Sequence, residues 1–206
     1  MSSAEEREPL GYDWGWAGRA LEADSGDVHV VARSPRGALV GVIDGLGHGT
    51  EAALAARRAA RLVEALPSEP LATLFERCHE ALHGTRGAVM SLASIDARDA
   101  HMTWIGVGNV EGVLLRADPA AAPARETILL RGGIVGYQLP SLRPEAVPLS
   151  RGDTLILASD GIRSGFGDVQ RAKGSAQEIA EAILANHLRP DDDALVLVVR
   201  FGGGTP

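Results

Sequence analysis

Apolar and polar positions alternate along the chain in short runs bounded by turn-forming residues. They predict strands near residues 13–19, 27–33, 38–43, 87–95, 101–107, 110–116, 154–158 and 194–200. SPRG at 34–37 and DARD at 96–99 carry turn chemistry between neighbouring runs, so antiparallel hairpins are expected there. Three stretches switch to helical spacing. After Thr50, which the pattern offers as an N-cap, Ala52, Ala55, Ala59, Leu62, Val63 and Leu66 form one apolar stripe that Pro67 ends. Leu71, Leu74, Phe75, Cys78 and Leu82 form a second, closed by Gly84. The third opens on a capping box, Ser175 with Glu178, and carries Ile179, Ile183 and Leu184 before Pro190. Many strands, with helices grouped rather than strictly alternating with them, predict an α+β layered sandwich rather than a doubly wound parallel sheet.

At 206 residues the chain fits one domain, 1–206, and can bury a core without covalent staples. Segments 1–10 and 202–206 are expected to be flexible, and the Ala/Pro-rich stretch 116–125 to be a surface loop. The single cysteine, Cys78, has no partner within the chain and no CxxC occurs, which excludes a secreted disulfide scaffold and points to a reduced, cytoplasmic protein. The start of the chain is acidic and lacks an apolar core, and no run approaches the length of a membrane span, so neither export nor membrane insertion is expected. Twenty Lys and Arg against 27 Asp and Glu give a net charge of −7. That balance opposes binding to a phosphate backbone and disfavours acidic partners at long range, so no nucleic-acid partner is expected, and nothing calls for more than a monomer.

The chemistry concentrates at aspartates. VGVIDGLGHG at 40–49 is a strand that runs into Asp44 and then a glycine-rich loop, which lets backbone approach a ligand. Its spacing matches neither GxGxxG, nor a P-loop, nor an EF-hand. Asp160 follows a strand in the same way in ILASDG, Asp191, Asp192 and Asp193 directly precede the last strand, and Asp27 opens a strand in DSGD. Carboxylates at strand ends can converge at one edge of a sheet core, where a hard divalent cation wants several oxygens.

SGD at 25–27, VIDGLGHG at 42–49, LASDGI at 157–162 and DDALVLVV at 192–199, in this order, resemble the metal-dependent serine/threonine protein phosphatases of the PPM family, in particular its SpoIIE-like branch. The compact length and RGAVMSLASID look most like the RsbX-type stressosome phosphatases. The resemblance implies a four-layer α-β-β-α sandwich of two mainly antiparallel sheets flanked by helix pairs, with two Mn²⁺ or Mg²⁺ at one end. It implies Asp44 as the bridging metal ligand, the Gly45 carbonyl beside it, Asp160 and Asp192 or Asp193 on the second ion, and Asp27 on the ions' waters. The implied reaction is direct attack of a metal-bridging hydroxide on phosphoserine or phosphothreonine of a phosphorylated STAS-domain regulator, of stressosome or anti-anti-sigma type. His48 is placed to give the leaving oxygen a proton. Where the family often has Thr after the terminal acidic pair this chain has Leu195, and the nearest upstream arginine, Arg19, is distant from the first acidic motif, which leaves the phosphate grip unassigned.

Two other readings stand beside this one. A pseudophosphatase would keep the fold to bind a phosphoprotein, although a binding module has no need for so many unneutralised carboxylates. His79, Glu80 and His83 spell H-E-x-x-H on a helical stretch, the signature of zinc peptidases. The metzincin extension fails at Arg86 and Val89, and no later third ligand is evident.

Overall fold

A computed structural model describes residues 11–166 and 174–202. In chain order its elements are β1 (Tyr12–Arg19), β2 (Asp27–Ser34), β3 (Gly37–Gly45), α1 (Thr50–Ala65), α2 (Leu71–Leu82), β4 (Ala88–Asp96), β5 (His101–Val107), β6 (Glu111–Leu115), β7 (Arg125–Thr127), β8 (Leu130–Arg131), β9 (Glu145–Pro148), β10 (Thr154–Ala158), α3 (Ala176–His187) and β11 (Ala194–Phe201). One sheet runs β1-β11-β10-β6-β7; the other runs β2-β3-β4-β5-β8, with β9 also on β5. The short β5–β8 pair is parallel, whereas hairpins and long-range ladders such as β1–β11 and β3–β4 are antiparallel.

The central strands are apolar on both faces because both faces are covered. In β3, Ala38, Val40 and Val42 point into the core between the sheets, while Leu39 and Ile43 point to α1 and α2. In β11, Leu195, Leu197 and Val199 face that same inter-sheet core and Ala194, Val196 and Val198 face α3. These side chains are buried and stack the molecule as helices, sheet, sheet, helix. The layers are those expected, with the helices unevenly shared. A pair, α1 and α2, covers one sheet; among the described residues α3 alone covers the other, with Ile162 and Phe166 filling in beside it.

The expected cap at Thr50 is corrected. Thr50 is already the first helical residue, and the N-cap is Gly49, with φ of 77° and no side-chain cap. The loop enters the helix through a left-handed conformation that glycine adopts without strain and threonine does not. At α3 the capping box forms as expected: Ser175 Oγ accepts from the Glu178 N–H, and Glu178 Oε2 accepts from the Ser175 N–H at 2.7 Å. Gln177 then closes the outer edge of β1, accepting from the Trp16 N–H at 3.1 Å and donating to the Trp16 carbonyl at 2.9 Å. This side-chain amide takes the place of a neighbouring strand. Of the ends expected to be flexible, 1–10 and 203–206 lie outside the described residues; Gly202 donates to the Gly11 carbonyl at 2.7 Å.

Candidate active site

One end of the sandwich gathers the aspartates. Asp27 opens β2 and is the register partner of Asp44 near the end of β3. Asp160 lies two residues past β10, and Asp192 and Asp193 directly precede β11, which pairs with β10. A cleft of about 500 Å³ opens there, lined by Asp44, His48, Asn109, Asp160, Asp191 and Asp192.

Both Asp-Gly pairs have a steric cause. A side chain at Gly45 would overlap the Ala52 carbonyl in the first turn of α1, and one at Gly161 would overlap the Asp193 carbonyl. Each glycine lets the segment after its aspartate pass against another stretch of backbone, which holds the carboxylate at the cleft. The Gly45 N–H also donates to the Gly26 carbonyl at 3.0 Å, so the segments carrying Asp27 and Asp44 are tied side by side.

The electrostatics are those of carboxylates that no protein cation compensates. Among the described residues no Lys, Arg or His pairs with Asp27, Asp44, Asp160 or Asp192. Burial, followed by the charges of Asp27, Asp160, Asp192 and Asp193, pushes the Asp44 carboxyl up to about 9. Asp27 is pushed up to about 7, chiefly by burial; the Ser159 hydroxyl, donating at 2.6 Å, opposes that shift, and the neighbouring aspartates add to it. Asp192 is raised too, by burial and then by Asp160. Clustered hard oxygen donors that repel one another and lack an internal counter-ion fit Mg²⁺ or Mn²⁺. A tighter trio, Asp96, Asp99 and His101, lies elsewhere, at a turn where Arg36 pairs with both carboxylates and supplies the counter-charge.

The two candidate aspartates before β11 have different tasks. Asp193 is 4% exposed, and its two oxygens accept from the N–H groups of Leu21 and Gly26, each at 2.7 Å. It fastens the segment leading into β2. Asp192 accepts from the Asp193 N–H through Oδ1 and faces the cleft. His48 stands at the exposed rim, its Nδ1 2.8 Å from Glu22 Oε1. Arg19 is engaged with the Pro190 carbonyl at 2.6 Å, steadying the acidic loop from below.

Three polar residues that the sequence did not single out complete the site. Asn109 Nδ2 donates to Asp160 Oδ2 at 2.7 Å, Ser159 links Asp27 to the Leu195 N–H, and Glu22 holds His48. Their only sequence signal is position, Ser159 beside Asp160 and Asn109 in the turn between two strands. Among the described residues, His79, Glu80 and His83 do not converge as a group of metal ligands. Helix α2 ends at Leu82, so His83 lies past it, and His79 Nδ1 accepts from the Gly136 N–H at 3.0 Å.

A family model described as Stage II sporulation protein E (SpoIIE) matches residues 34–202. The chain belongs to the SpoIIE family. This SpoIIE-family chain is 26% identical over 176 residues to the phosphoserine phosphatase RsbX of Bacillus subtilis (strain 168), across 84% of this chain and 85% of that protein. Among solved structures, one described under "The bacterial stressosome: a modular system that has been adapted to control secondary messenger signaling" superposes with a TM-score of 0.84 at 33% identity, covering 92% of this chain and 99% of that one. RsbX in complex with magnesium superposes with a TM-score of 0.80 at 22% identity, covering 92% of this chain and 94% of that one. By its family and its likeness to the phosphoserine phosphatase RsbX, the SpoIIE-family domain is a protein serine/threonine phosphatase, and it shares its fold with the magnesium complex of RsbX.

Proposed function

We propose that this SpoIIE-family phosphatase removes phosphate from serine or threonine on a STAS-domain regulator of stressosome or anti-anti-sigma type. Two Mn²⁺ or Mg²⁺ would be held by Asp44, the Gly45 carbonyl, Asp160 and Asp192, with Asp27 behind them. The observation that carries the reading is the convergence of Asp44, Asp160 and Asp192 on one cleft with no protein cation to answer them. When bound, such ions lower the pKa of water and offset the charge of the phosphoryl group. Asp193 gives way to Asp192 as the ligand because both its oxygens are already committed to backbone N–H groups.

The chain's own groups supply the rest. Asn109 fixes the orientation of Asp160, and Ser159 fixes that of Asp27. His48, oriented by Glu22 at the rim, can deliver a proton to the departing seryl or threonyl oxygen. Support for a stressosome-type substrate comes from the likeness to RsbX and to the stressosome structure. The direct test is turnover of p-nitrophenyl phosphate and of a phosphorylated STAS domain with Mn²⁺ or Mg²⁺; undiminished turnover in EDTA would overturn the metal-dependent reading.

A further inference from the structure

Beside the metal-site cleft lies a second and larger hollow of about 770 Å³, between the exposed face of α1 and the turn after α2. Its lining is basic: Arg57, Arg58 and Arg61 from α1 and Arg86 from the turn, against the single acidic residue Glu51. Arg57 is paired with Asp24 and Arg86 with Glu51, whereas Arg58 and Arg61 have no hydrogen bond or ion pair among the described residues. Leu54, 60% exposed, sits among them. A chain with net charge −7 has thus concentrated four guanidinium groups on one patch around an apolar side chain. Guanidinium forks match carboxylates in pairs of parallel hydrogen bonds.

The hollow joins the cleft. Arg86 Nη1 lies 2.7 Å from the place a Cβ on Gly47 would take, and Gly47 lines the metal-site cleft. Glu51, one turn before Leu54, accepts from Arg86 Nε at 2.6 Å. From Glu51 to Arg61 the helix rises about 15 Å, which a short extended peptide spans. A segment lying along α1 is therefore led past the loop 46–49 to the aspartates.

We propose that this groove docks an acidic, extended segment of the phosphoprotein substrate, with carboxylates on Arg58 and Arg61 and an apolar side chain on Leu54, so that the neighbouring phosphoresidue enters the cleft. The inference rests on the phosphatase reading for its occupant. It adds the charge pattern that the substrate must carry near its phosphosite, and it makes Arg58 and Arg61 specificity residues rather than catalytic ones.

The test uses the full chain and two fluorescent phosphoserine peptides matched in length, one Glu-rich and one Gln-rich around the phosphosite. The wild type should favour the Glu-rich peptide by about tenfold in kcat/KM, through KM; an exposed ion pair contributes about threefold, so the pair of arginines accounts for it. Arg58→Gln with Arg61→Gln should erase that preference and flatten its salt dependence while leaving turnover of p-nitrophenyl phosphate unchanged, and Arg58→Lys with Arg61→Lys should restore most of it. Equal kcat/KM for the two peptides, or a preference that survives the double Gln variant, overturns the groove. If p-nitrophenyl phosphate is not hydrolysed at all, the phosphatase reading fails by itself. Fluorescence anisotropy of the Glu-rich peptide then decides the groove, since binding must weaken about tenfold in the double Gln variant. Binding of phosphatidylserine vesicles that the variant loses, with no peptide binding, also overturns it.

Discussion

Asp27 and Asp44 stand opposite one another at the start of β2 and near the end of β3, a buried and a half-buried carboxylate sharing one rung of an antiparallel ladder. Burial and mutual repulsion oppose ionising both, and a cation beside them offsets that cost. The sheet register thus makes a site that repels itself when empty of positive charge.

Replacing Asp44 by Asn removes a cation ligand while keeping shape and hydrogen-bonding capacity. Activity with Mn²⁺ should fall by several orders of magnitude. The metal-free protein should be as stable as the wild type or more so, because burial of a repelled carboxylate is relieved. Steady-state kinetics and thermal unfolding in EDTA check both halves, and near-normal metal-dependent turnover would remove the role given to Asp44.

The same pair sets a pH dependence. Carboxyls raised to about 7 and about 9 in the fold keep protons that the unfolded chain loses near pH 4. The folded state then binds more protons than the unfolded one across this window, so stability is greatest at its acid end and declines as pH rises toward about 9. The melting temperature in EDTA should therefore fall across the window, less steeply in Asp44→Asn. Added Mn²⁺ should recover more of it at the alkaline end, because bound cations displace those protons. A melting temperature in EDTA that rises with pH across the window would overturn the account.

Asp192 and Asp193 are adjacent and should behave oppositely. Asp193→Ala leaves two N–H groups, of Leu21 and Gly26, without their buried acceptor and should cost about 2 kcal/mol or more in stability. Asp192→Ala should leave the melting temperature in EDTA nearly unchanged and lower kcat sharply, since that side chain faces the cleft. Denaturant unfolding set beside kinetics separates them; a stable, inactive Asp193→Ala would reverse the assignment.

His79→Ala with His83→Ala tests the zinc pattern. Phosphatase activity should remain within a few-fold, and stability should drop by about 1 kcal/mol from the lost acceptor for the Gly136 N–H. The purified protein should carry no stoichiometric zinc held by these residues, as metal analysis of both forms would show.

Much of this was legible in the residues because burial on two faces writes itself as continuous apolar runs. β3, β10 and β11 fall close to where the pattern of Val, Ile and Leu places them. Asp44 and Asp160 were legible as well, since each precedes a glycine at a strand end. The short strands β7, β8 and β9 were not, because two to four residues are too few to show a period. Thr50 misled because its side chain suits a cap while the loop geometry required glycine one place earlier. Asn109, Ser159 and Glu22 act through partners distant in sequence, which only the topology brings near. The basic groove was hidden by arithmetic of another kind, as a net charge averages over a surface whose arginines are clustered.

The last expectation concerns how the substrate is presented. A phosphoserine on a folded STAS domain and the same residue in a short peptide offer the cleft identical chemistry, so any difference in kcat/KM must come from contacts outside it. The cleft is open and its rim, with His48 and Glu22, is exposed, so it offers little by itself to fix the approach of a flexible chain. Binding energy gained on the surface beside the cleft can hold the phosphoryl group in line for attack and lower the entropy cost of reaching that geometry. The intact phosphorylated domain should therefore exceed the matched peptide by at least about tenfold in kcat/KM in the same Mn²⁺ buffer. Equal values would show that no surface beyond the cleft takes part. Failure on every phosphorylated STAS domain tried, with p-nitrophenyl phosphate still turned over, would remove the proposed substrate class and leave the phosphatase chemistry standing.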